Sequence, residues 1–319
     1  MIERWNDSVA VIPVHNEAAT IAAIVTATRV YMPVMVVDDA STDGSGQLAA
    51  TAGASVLTLP THQGKGAALQ YGFREALRHG VASVVTLDGD GQHNPQDIPR
   101  LLQASRQWPG SLIIGGRLET EDAIPRHRLY AIRVASFWIN WMGGCNVQDT
   151  QSGFRVYPAA ILRSLPLKHG GFLLESEVLL KAAQRGCDLR ELPIQAVYVP
   201  GQRSQYRPLQ DGTIAAIYLL YRCIRFWLWH LRHLLLGRLT DPGAERAYLW
   251  GRTLRAMLAM GLLPVLVLAV LMQGLVGRFG YDVIAPIIWR FYDQRRLPTP
   301  SGIRKAFHGH HQHDRWEFI

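Results

Sequence analysis

The residues with the clearest capacity for chemistry are two aspartates, Asp88 and Asp90, in the run DGDGQH. They follow an apolar stretch, residues 81–87, that is typical of a buried strand. Carboxylates at positions i and i+2 can converge on one hard cation, and Gly89 and Gly91 let the backbone turn tightly around them. A cation held there could bridge diphosphate oxygens and neutralise the charge on a departing nucleotide. Aspartate and glycine are also ordinary turn residues, so an isolated pair of this kind would favour a solvated turn.

A second group of carboxylates, Asp38 and Asp39, ends the strand predicted at residues 34–37. Carboxylates in this position can hydrogen-bond the base or the ribose of a nucleotide. The polar residues that follow could instead cap the next helix; they are Ser41, Thr42 and Asp43. The two roles are compatible, because capping occupies only one of these residues.

Two further polar clusters lie at a strand end and at a helix start. The run PVHNE, residues 13–17, predicts either ligand contact or a helix start with Asn16 as its N-cap. The run HQGKG, residues 62–66, opens a predicted helix, where the N-terminus attracts phosphate and Lys65 adds a full positive charge. The spacings of a P-loop and of a GxGxxG dinucleotide-binding turn are both absent from these clusters.

The four clusters need a scaffold that brings strand ends together. Apolar strands are predicted at residues 9–14, 34–37, 55–59, 81–87 and 112–114. They alternate with helices predicted at residues 18–28, 44–51, 65–79 and 97–107, and further helices are predicted at 126–143 and 175–185. Such alternation without hairpin turns predicts a parallel α/β sheet. Ligands of such sheets bind beyond the carboxyl ends of the strands, where the unusual polar clusters lie.

In this order and spacing the four clusters resemble glycosyltransferase family 2, in particular its dolichol-phosphate mannosyltransferase-like, or polyprenyl-phosphate glycosyltransferase, branch. The runs DTQSGFR at residues 149–155 and ESE at residues 175–177 fit the same branch. The resemblance covers roughly residues 8–212. It implies a GT-A fold, in which a Rossmann-like, mostly parallel sheet flanked by helices has a nucleotide half and an acceptor half.

The resemblance also implies roles for individual residues. Those implied for the nucleotide-sugar donor are Pro13, Glu17, Asp38, Asp39, Lys65, Asp88 and Gly89. Those implied for a Mg2+ or Mn2+ ion are Asp88, Asp90 and Gln92. Those implied for the acceptor are Gln151, Arg155, Arg203, Ser204 and Arg207, and those implied for catalysis are Asp90, Asp149 and Glu177. One departure is His62, where the family more often has Asn.

Members of this kind invert the anomeric centre by direct displacement. A hydroxyl acceptor needs a general base, for which Asp149 and Glu177 are the candidates. A lipid phosphate is already anionic and needs none, and Glu177 could also be a carboxylate that simply favours a helix start. The resemblance therefore implies metal-dependent transfer from a UDP- or GDP-sugar to a membrane-presented, lipid-linked acceptor such as polyprenyl phosphate.

Three other functions compete with this interpretation. One is transfer to a polysaccharide or to another hydroxylated lipid. A second is nucleotidyl transfer, which is disfavoured because no glycine-rich loop with Lys or Arg follows the first predicted strand. The third is a binding or scaffold protein without activity, which the intact Asp88 and Asp90 disfavour.

The second half of the chain has the composition of a membrane-associated segment. We divide the chain into a catalytic domain at residues 1–210, amphipathic interfacial helices at 211–255, a hydrophobic membrane helix at 256–276 and a polar tail at 277–319. The third segment has 21 residues without a charge, enough to cross a bilayer; a re-entrant or interfacial helix and a buried core helix are the alternatives. The second is rich in Tyr, Trp, Leu and Arg, which suits a membrane interface.

Composition and charge agree with this organisation. Hydrophobic residues make up 48% of the chain and charged residues 18%, so it can build a core. The formal net charge is +8, but the basic residues interleave with Trp and Leu in the second half, which favours membrane over nucleic acid as a partner. Three scattered cysteines indicate a reducing compartment. We therefore expect a membrane-associated protein whose catalytic domain is cytoplasmic, at the inner membrane in a bacterium.

Overall fold

The structure is a computed structural model that describes residues 7–118, 124, 126–167 and 173–195, with single positions at 218, 221, 224, 225, 228 and 261. The chain divides into two compact units, Met1–Ala216 and Ile217–Ile319. All the strands and helices described below belong to the first unit.

Within the described residues, one seven-stranded sheet forms the centre of this unit, in the order β3-β2-β1-β4-β6-β5-β7. The strands are β1 (Ser8–Val14), β2 (Val34–Asp38), β3 (Ser55–Thr58), β4 (Ser83–Thr86), β5 (Leu112–Gly116), β6 (Arg155–Pro158) and β7 (Leu189–Pro193). Six of them run in one direction, and β6 is antiparallel to its neighbours β4 and β5. The predicted α/β class with a mostly parallel sheet is confirmed.

Seven α-helices accompany the sheet in the described part of the chain, and a short 3-10 helix, Pro95–Asp97, precedes the fourth. The α-helices are α1 (Ile21–Arg29), α2 (Ser45–Thr51), α3 (Lys65–Arg78), α4 (Ile98–Gln107), α5 (Arg126–Gly143), α6 (Ala159–Ser164) and α7 (Leu173–Gln184). All five predicted strands and all six predicted helices are present, with shifts of up to three residues at their ends. Strands β6 and β7 and the short α6 were not predicted.

The start of α1 corrects one sequence-based expectation. The helix begins at Ile21 rather than at residue 18, and Thr20, not Asn16, occupies its N-cap position. Asn16 adopts a positive φ of 57°, and its side-chain oxygen accepts the Thr42 N–H at 2.9 Å. The Asn16 side chain therefore bonds to the residues after β2 instead of to the start of α1. At the start of α2 the N-cap residue is Gly44, with a positive φ of 86°, and Asp43 before it accepts the N–H of the first α2 residue at 3.0 Å.

Helix α3 lies tightly against the sheet, because a glycine faces the strands. Val11 and Val37 are fully buried in β1 and β2. A Cβ on Gly72 would overlap Val11 Cγ1 and lie 3.1 Å from Val37 Cγ2. This close approach sets the distance between the sheet and α3, the helix whose first residue is Lys65.

The predicted membrane segments fall largely beyond what the structure describes. Residues 211–255, 256–276 and 277–319 are outside the described residues except for the single positions named above. Among the residues that are described, no helix has both the length and the apolar character needed to cross a bilayer. The domain boundaries therefore stay a prediction.

The approach of α3 to the sheet can be tested with Gly72→Ala. The added methyl would overlap Val11, so the free energy of unfolding should fall by about 1–3 kcal/mol. Helix propensity acts in the opposite direction, by roughly 0.5–1 kcal/mol, so the sign of the change reports the packing. Urea denaturation measures it, with Arg78→Ala in the last turn of α3, where the side chain is 76% exposed, as a control expected within about 0.5 kcal/mol. A more stable Gly72→Ala would contradict the close approach.

Candidate active site

The predicted site residues gather where the carboxyl end of β4 meets the first turns of α3 and α7. Lys65, the first residue of α3, places Nζ 2.6 Å from Asp88 Oδ1. The same ammonium lies 3.1 Å from Oε1 of Glu175, in the first turn of α7. Three elements that are distant in sequence are therefore joined by one lysine.

The charges of this group stabilise one another. Burial disfavours the ammonium, but the carboxylates of Asp88 and Glu175 outweigh burial and raise the pKa of Lys65 above its usual value. Burial likewise acts to raise the pKa of Asp88, and the charge of Lys65 outweighs it and lowers that pKa to about 2. Both partners are therefore charged at neutral pH.

The pKa of Asp90 is shifted upward, opposite to that of Asp88. Burial, followed by the negative charge of Asp88, raises the pKa of Asp90 to about 6. One of its oxygens accepts the backbone N–H of Gln92 at 3.0 Å. The two aspartates of DGDGQH lie two residues apart after β4, and the charge of each disfavours the charge of the other. A hard cation is the ligand that such a pair can hold.

The formal charges of the surrounding residues support this conclusion. Four carboxylates and two basic side chains interact here; they are Asp88, Asp90, Asp149, Glu175, Lys65 and Arg117. When all are ionised, two negative charges are in excess, which a divalent cation would neutralise. Among the described residues, no three or more His, Cys, Asp or Glu side chains are arranged to hold a metal ion.

Two glycines allow these groups to approach. A Cβ on Gly153 would lie 2.7 and 2.9 Å from the two Asp88 carboxylate oxygens, so a side chain there would displace the aspartate. A Cβ on Gly89 would lie 3.3 Å from the Pro13 carbonyl oxygen and 3.6 Å from Cγ of Glu17. The structure thus brings Pro13, Glu17 and Gly89 together beside the aspartates.

Asp39 is engaged by the loop that precedes α3. Its two oxygens accept the N–H groups of Gln63 at 2.7 Å and Gly64 at 2.6 Å. His62 Nδ1 lies 2.9 Å from the same carboxylate, and its ring stacks on that of His15 with centroids 3.9 Å apart. Asp39 therefore positions the start of α3, and with it Lys65. The neighbouring Asp38 accepts a backbone N–H from the turn that follows it.

Arg117 lies in the site, although the sequence analysis did not single it out. Its guanidinium binds Asp149 through two hydrogen bonds of 2.7 and 3.1 Å. Burial acts to raise the pKa of Asp149, but Arg117 outweighs it and the pKa is lowered. A carboxylate paired in this way is a weak base. Arg117 directly follows the last residue of β5, so the strand-end rule could have identified it.

The two glutamates of the ESE run are separated by the helix that carries them. Positions two residues apart in a helix point about 200° apart, so they occupy nearly opposite faces. Glu175 faces Lys65, whereas Glu177 is fully buried and its Oε1 lies 2.6 Å from Lys181 Nζ. The structure therefore brings Glu175, which was given no role, to the aspartates, and pairs Glu177 elsewhere.

Two of the residues implied for the acceptor, Arg155 and Gln151, are described by the structure, and they differ in burial. Arg155 is fully buried and donates to the carbonyl oxygens of Thr150, Ser152 and Glu175, at 2.7 to 2.9 Å. Its donors thus brace the turn before β6 and the start of α7. Gln151 donates its backbone N–H to Asp149 and lies beside this turn.

The remaining acceptor residues, Arg203, Ser204 and Arg207, lie outside the described residues.

His93, the last residue of DGDGQH, supports the aspartates from the buried side. Its Nδ1 accepts the Asp88 N–H at 3.1 Å, which places the ring proton on Nε2. Burial lowers the pKa of His93 to about 4, so the ring is neutral at pH 7. The sequence analysis gave His93 no role, although the motif contained it.

Comparison with known proteins identifies similar sequences. Residues 9–166 match the family model described as Glycosyl transferase family 2. Undecaprenyl-phosphate mannosyltransferase of Micrococcus luteus is 32% identical over 206 residues, which are 59% of this chain and 82% of that protein. Polyprenol monophosphomannose synthase of Mycolicibacterium smegmatis is 29% identical over 199 residues, 58% of this chain and 75% of that protein.

A solved structure is also similar. Glucosyl-3-phosphoglycerate synthase from Mycobacterium tuberculosis, in complex with Mn2+, uridine diphosphate and phosphoglyceric acid, has a TM-score of 0.51 and 22% identity. The match covers 69% of this chain and 78% of that one. This likeness supports the expected GT-A-like α/β fold.

The structural role of Arg155 can be tested with Arg155→Met. Three buried carbonyl oxygens would lose their donor, so the free energy of unfolding should fall by roughly 3 kcal/mol or more. Arg163→Met, at an exposed position of α6, is the matched control and should change it by less than about 0.5 kcal/mol. Chemical denaturation compares the two. Full stability together with a raised acceptor KM would instead support direct acceptor binding by Arg155.

Proposed function

Because this chain belongs to glycosyltransferase family 2, we propose that it moves a sugar from a UDP- or GDP-sugar to a membrane-presented, lipid-linked acceptor such as polyprenyl phosphate. The transfer is metal-dependent and inverts the anomeric centre. The observation that carries the proposal is the partly buried pair Asp88 and Asp90, which lies at the carboxyl end of β4 with excess negative charge and with Lys65 beside it.

The aspartate pair fits a divalent metal ion. Asp88 and Asp90 would hold Mg2+ or Mn2+, with Gln92 assisting from the same turn. Mg2+ is usually held by one or two carboxylates together with phosphate oxygens of the substrate, which matches the small number of ligands here. When bound, the ion neutralises charge on the diphosphate of the leaving nucleotide.

The donor pocket in this proposal lies across the carboxyl ends of β1, β2 and β4. Pro13, Glu17 and Gly89 form one side of it, since these residues lie together beside Asp88. Asp38 and Asp39 form the other side, at the end of β2. Asp39 acts by holding the loop before α3, so that the helix N-terminus and Lys65 meet the diphosphate.

The two candidate bases, Asp149 and Glu177, are both engaged in ion pairs, which favours an anionic acceptor. Asp149 is held by Arg117 with a lowered pKa, and Glu177 is fully buried and paired with Lys181. Neither is well prepared to take a proton from a hydroxyl, whereas a phosphate acceptor needs no base. Two similar proteins are named undecaprenyl-phosphate mannosyltransferase and polyprenol monophosphomannose synthase, which supports a phosphate acceptor. Asp149 then acts by orienting Arg117, whose charge suits an acceptor phosphate.

An acceptor of this kind requires a membrane. Residues 211–255 would lie in the interface, and residues 256–276 would anchor the chain. The acceptor residues Gln151, Arg203, Ser204 and Arg207 would face the lipid phosphate. The catalytic domain lies on the cytoplasmic side, where nucleotide sugars are found, at the inner membrane in a bacterium.

A transfer assay with full-length protein tests the proposal. UDP- and GDP-sugars are each incubated with polyprenyl phosphate and Mg2+ or Mn2+, and glycosylated lipid is measured. Activity should require the metal, and Asp88→Asn or Asp90→Asn should lower kcat/KM by about a hundredfold or more without unfolding the chain. Asp188→Asn, on the exposed turn before β7, is the control and should keep its activity. Metal-independent transfer, or near-normal turnover in both variants, would refute the metal assignment.

A second test separates the two glutamates of α7. Glu175→Gln removes a charge partner of Lys65 and should lower kcat/KM by about tenfold or more. Glu177→Gln removes the partner of Lys181, so its main effect should be on the melting temperature, with a smaller loss of activity. Activity is compared per folded molecule. A larger loss in Glu177→Gln would restore Glu177 as the catalytic residue.

A further inference from the structure

The contact between Lys65 and Asp88 occupies a metal-binding oxygen. Lys65 Nζ lies 2.6 Å from Asp88 Oδ1, a distance typical of a short charge-assisted hydrogen bond. A metal ion that bound this oxygen would compete directly with the ammonium. The proposed metal site is therefore not simply open to a cation from solution.

This ion pair is largely shielded from solvent and joins separate elements of the fold, unlike a contact between exposed side chains. The side chains of Lys65, Asp88 and Glu175 are 18%, 25% and 9% exposed. The lysine is held from two sides, by Asp88 after β4 and by Glu175 in α7, and Gly153 leaves room for both carboxylates. The two carboxylates lie 2.6 and 3.1 Å from the Lys65 ammonium and hold it between them. A fixed positive charge therefore lies beside the DGDGQH carboxylates.

A divalent ion at Asp88 and this ammonium repel each other, and without a nucleotide no additional anion offsets that repulsion. Like charges a few ångströms apart in a poorly solvated site interact strongly. A nucleoside diphosphate changes the balance, because its oxygens can accept both the metal and the ammonium. Lys65 is the first residue of the 14-residue α3, whose N-terminal end also attracts phosphate.

We propose that Lys65 is the resident counterion of Asp88 in the nucleotide-free enzyme, and that metal and nucleotide therefore bind as a coupled pair. Metal alone binds weakly, since it must displace an ammonium or lie beside it. A diphosphate would draw Lys65 away from Asp88 and so leave the Asp88 carboxylate available to hold the metal. By linkage, the metal strengthens nucleotide binding by the same factor as the nucleotide strengthens metal binding. The inference rests on the proposed function, in which Asp88 binds a metal.

Mn2+ binding to the full chain, measured by electron paramagnetic resonance, tests the coupling. The chain is titrated without nucleotide, with UDP and with GDP. Wild type should bind Mn2+ alone weakly, and about tenfold or more tightly with one of the two nucleotides. Lys65→Met removes the ammonium at similar size, so it should bind Mn2+ alone about tenfold or more tightly than wild type. The nucleotide should then add less.

Four variants separate charge from shape and folding. Lys65→Gln provides a second neutral variant, in case Lys65→Met does not fold, and should also tighten Mn2+ binding. Lys65→Arg keeps the charge and should bind Mn2+ alone as weakly as wild type. Lys181→Met is the matched control, because Lys181 also pairs with a carboxylate of α7 at 2.6 Å, and it should leave Mn2+ affinity unchanged. Asp90→Asn should lose the site in every condition.

The possible results distinguish this inference from the proposed function. If neutral variants of Lys65 bind Mn2+ alone no more tightly than wild type, the counterion role is refuted, while nucleotide-dependent Mn2+ binding still supports the proposed metal. If Lys181→Met tightens binding equally, a general loss of positive charge is the cause and the inference also fails. If no form binds Mn2+ with or without UDP or GDP, the metal in the proposed function is refuted together with this inference.

Discussion

A partly buried ammonium held between two carboxylates is the interaction on which the rest of the site depends. Lys65 joins the end of β4, through Asp88, to the first turn of α7, through Glu175. Removing one member of such a group is costly, because it leaves an unpaired buried charge. The interaction also limits the backbone around it, since only a glycine at position 153 leaves space for the two carboxylates. Electrostatics and packing therefore require the same arrangement.

Most acidic residues at this edge of the sheet brace the backbone. Asp39 accepts two N–H groups from the loop before α3, and Asp43 connects the start of α2 to the loop before α1. Glu191 of β7 likewise accepts the N–H groups of residues 148 and 149. Carboxylates committed in this way hold the loops of the site in fixed positions, and such preorganisation is what a charged transition state requires. Asp90 differs from them, because burial and, after it, the negative charge of Asp88 raise its pKa.

Patterns that are local in the chain were sufficient for much of the fold. The five strands from β1 to β5 are short apolar runs, and the helices between them are amphipathic, so hydrophobic periodicity locates both. Parallel strands place their carboxyl ends at one edge, so the position of the DGDGQH and HQGKG clusters followed from the same pattern. Strand β6 lacks this signal, because it starts with a buried arginine. Strand β7, LRELP, is half-buried and carries Arg190 and Glu191.

The sequence by itself determined the class of fold, the family and the aspartate pair, since each is recorded in neighbouring residues. The tertiary structure decided which side chains meet that pair. Helical geometry turns Glu175 toward Lys65 and Glu177 away from it, a choice that depends on which face of α7 packs inward. Packing also buries Arg155, whose guanidinium then donates hydrogen bonds to three backbone carbonyl oxygens. Contacts between residues far apart in the chain depend on how whole elements pack, and no local pattern contains that information.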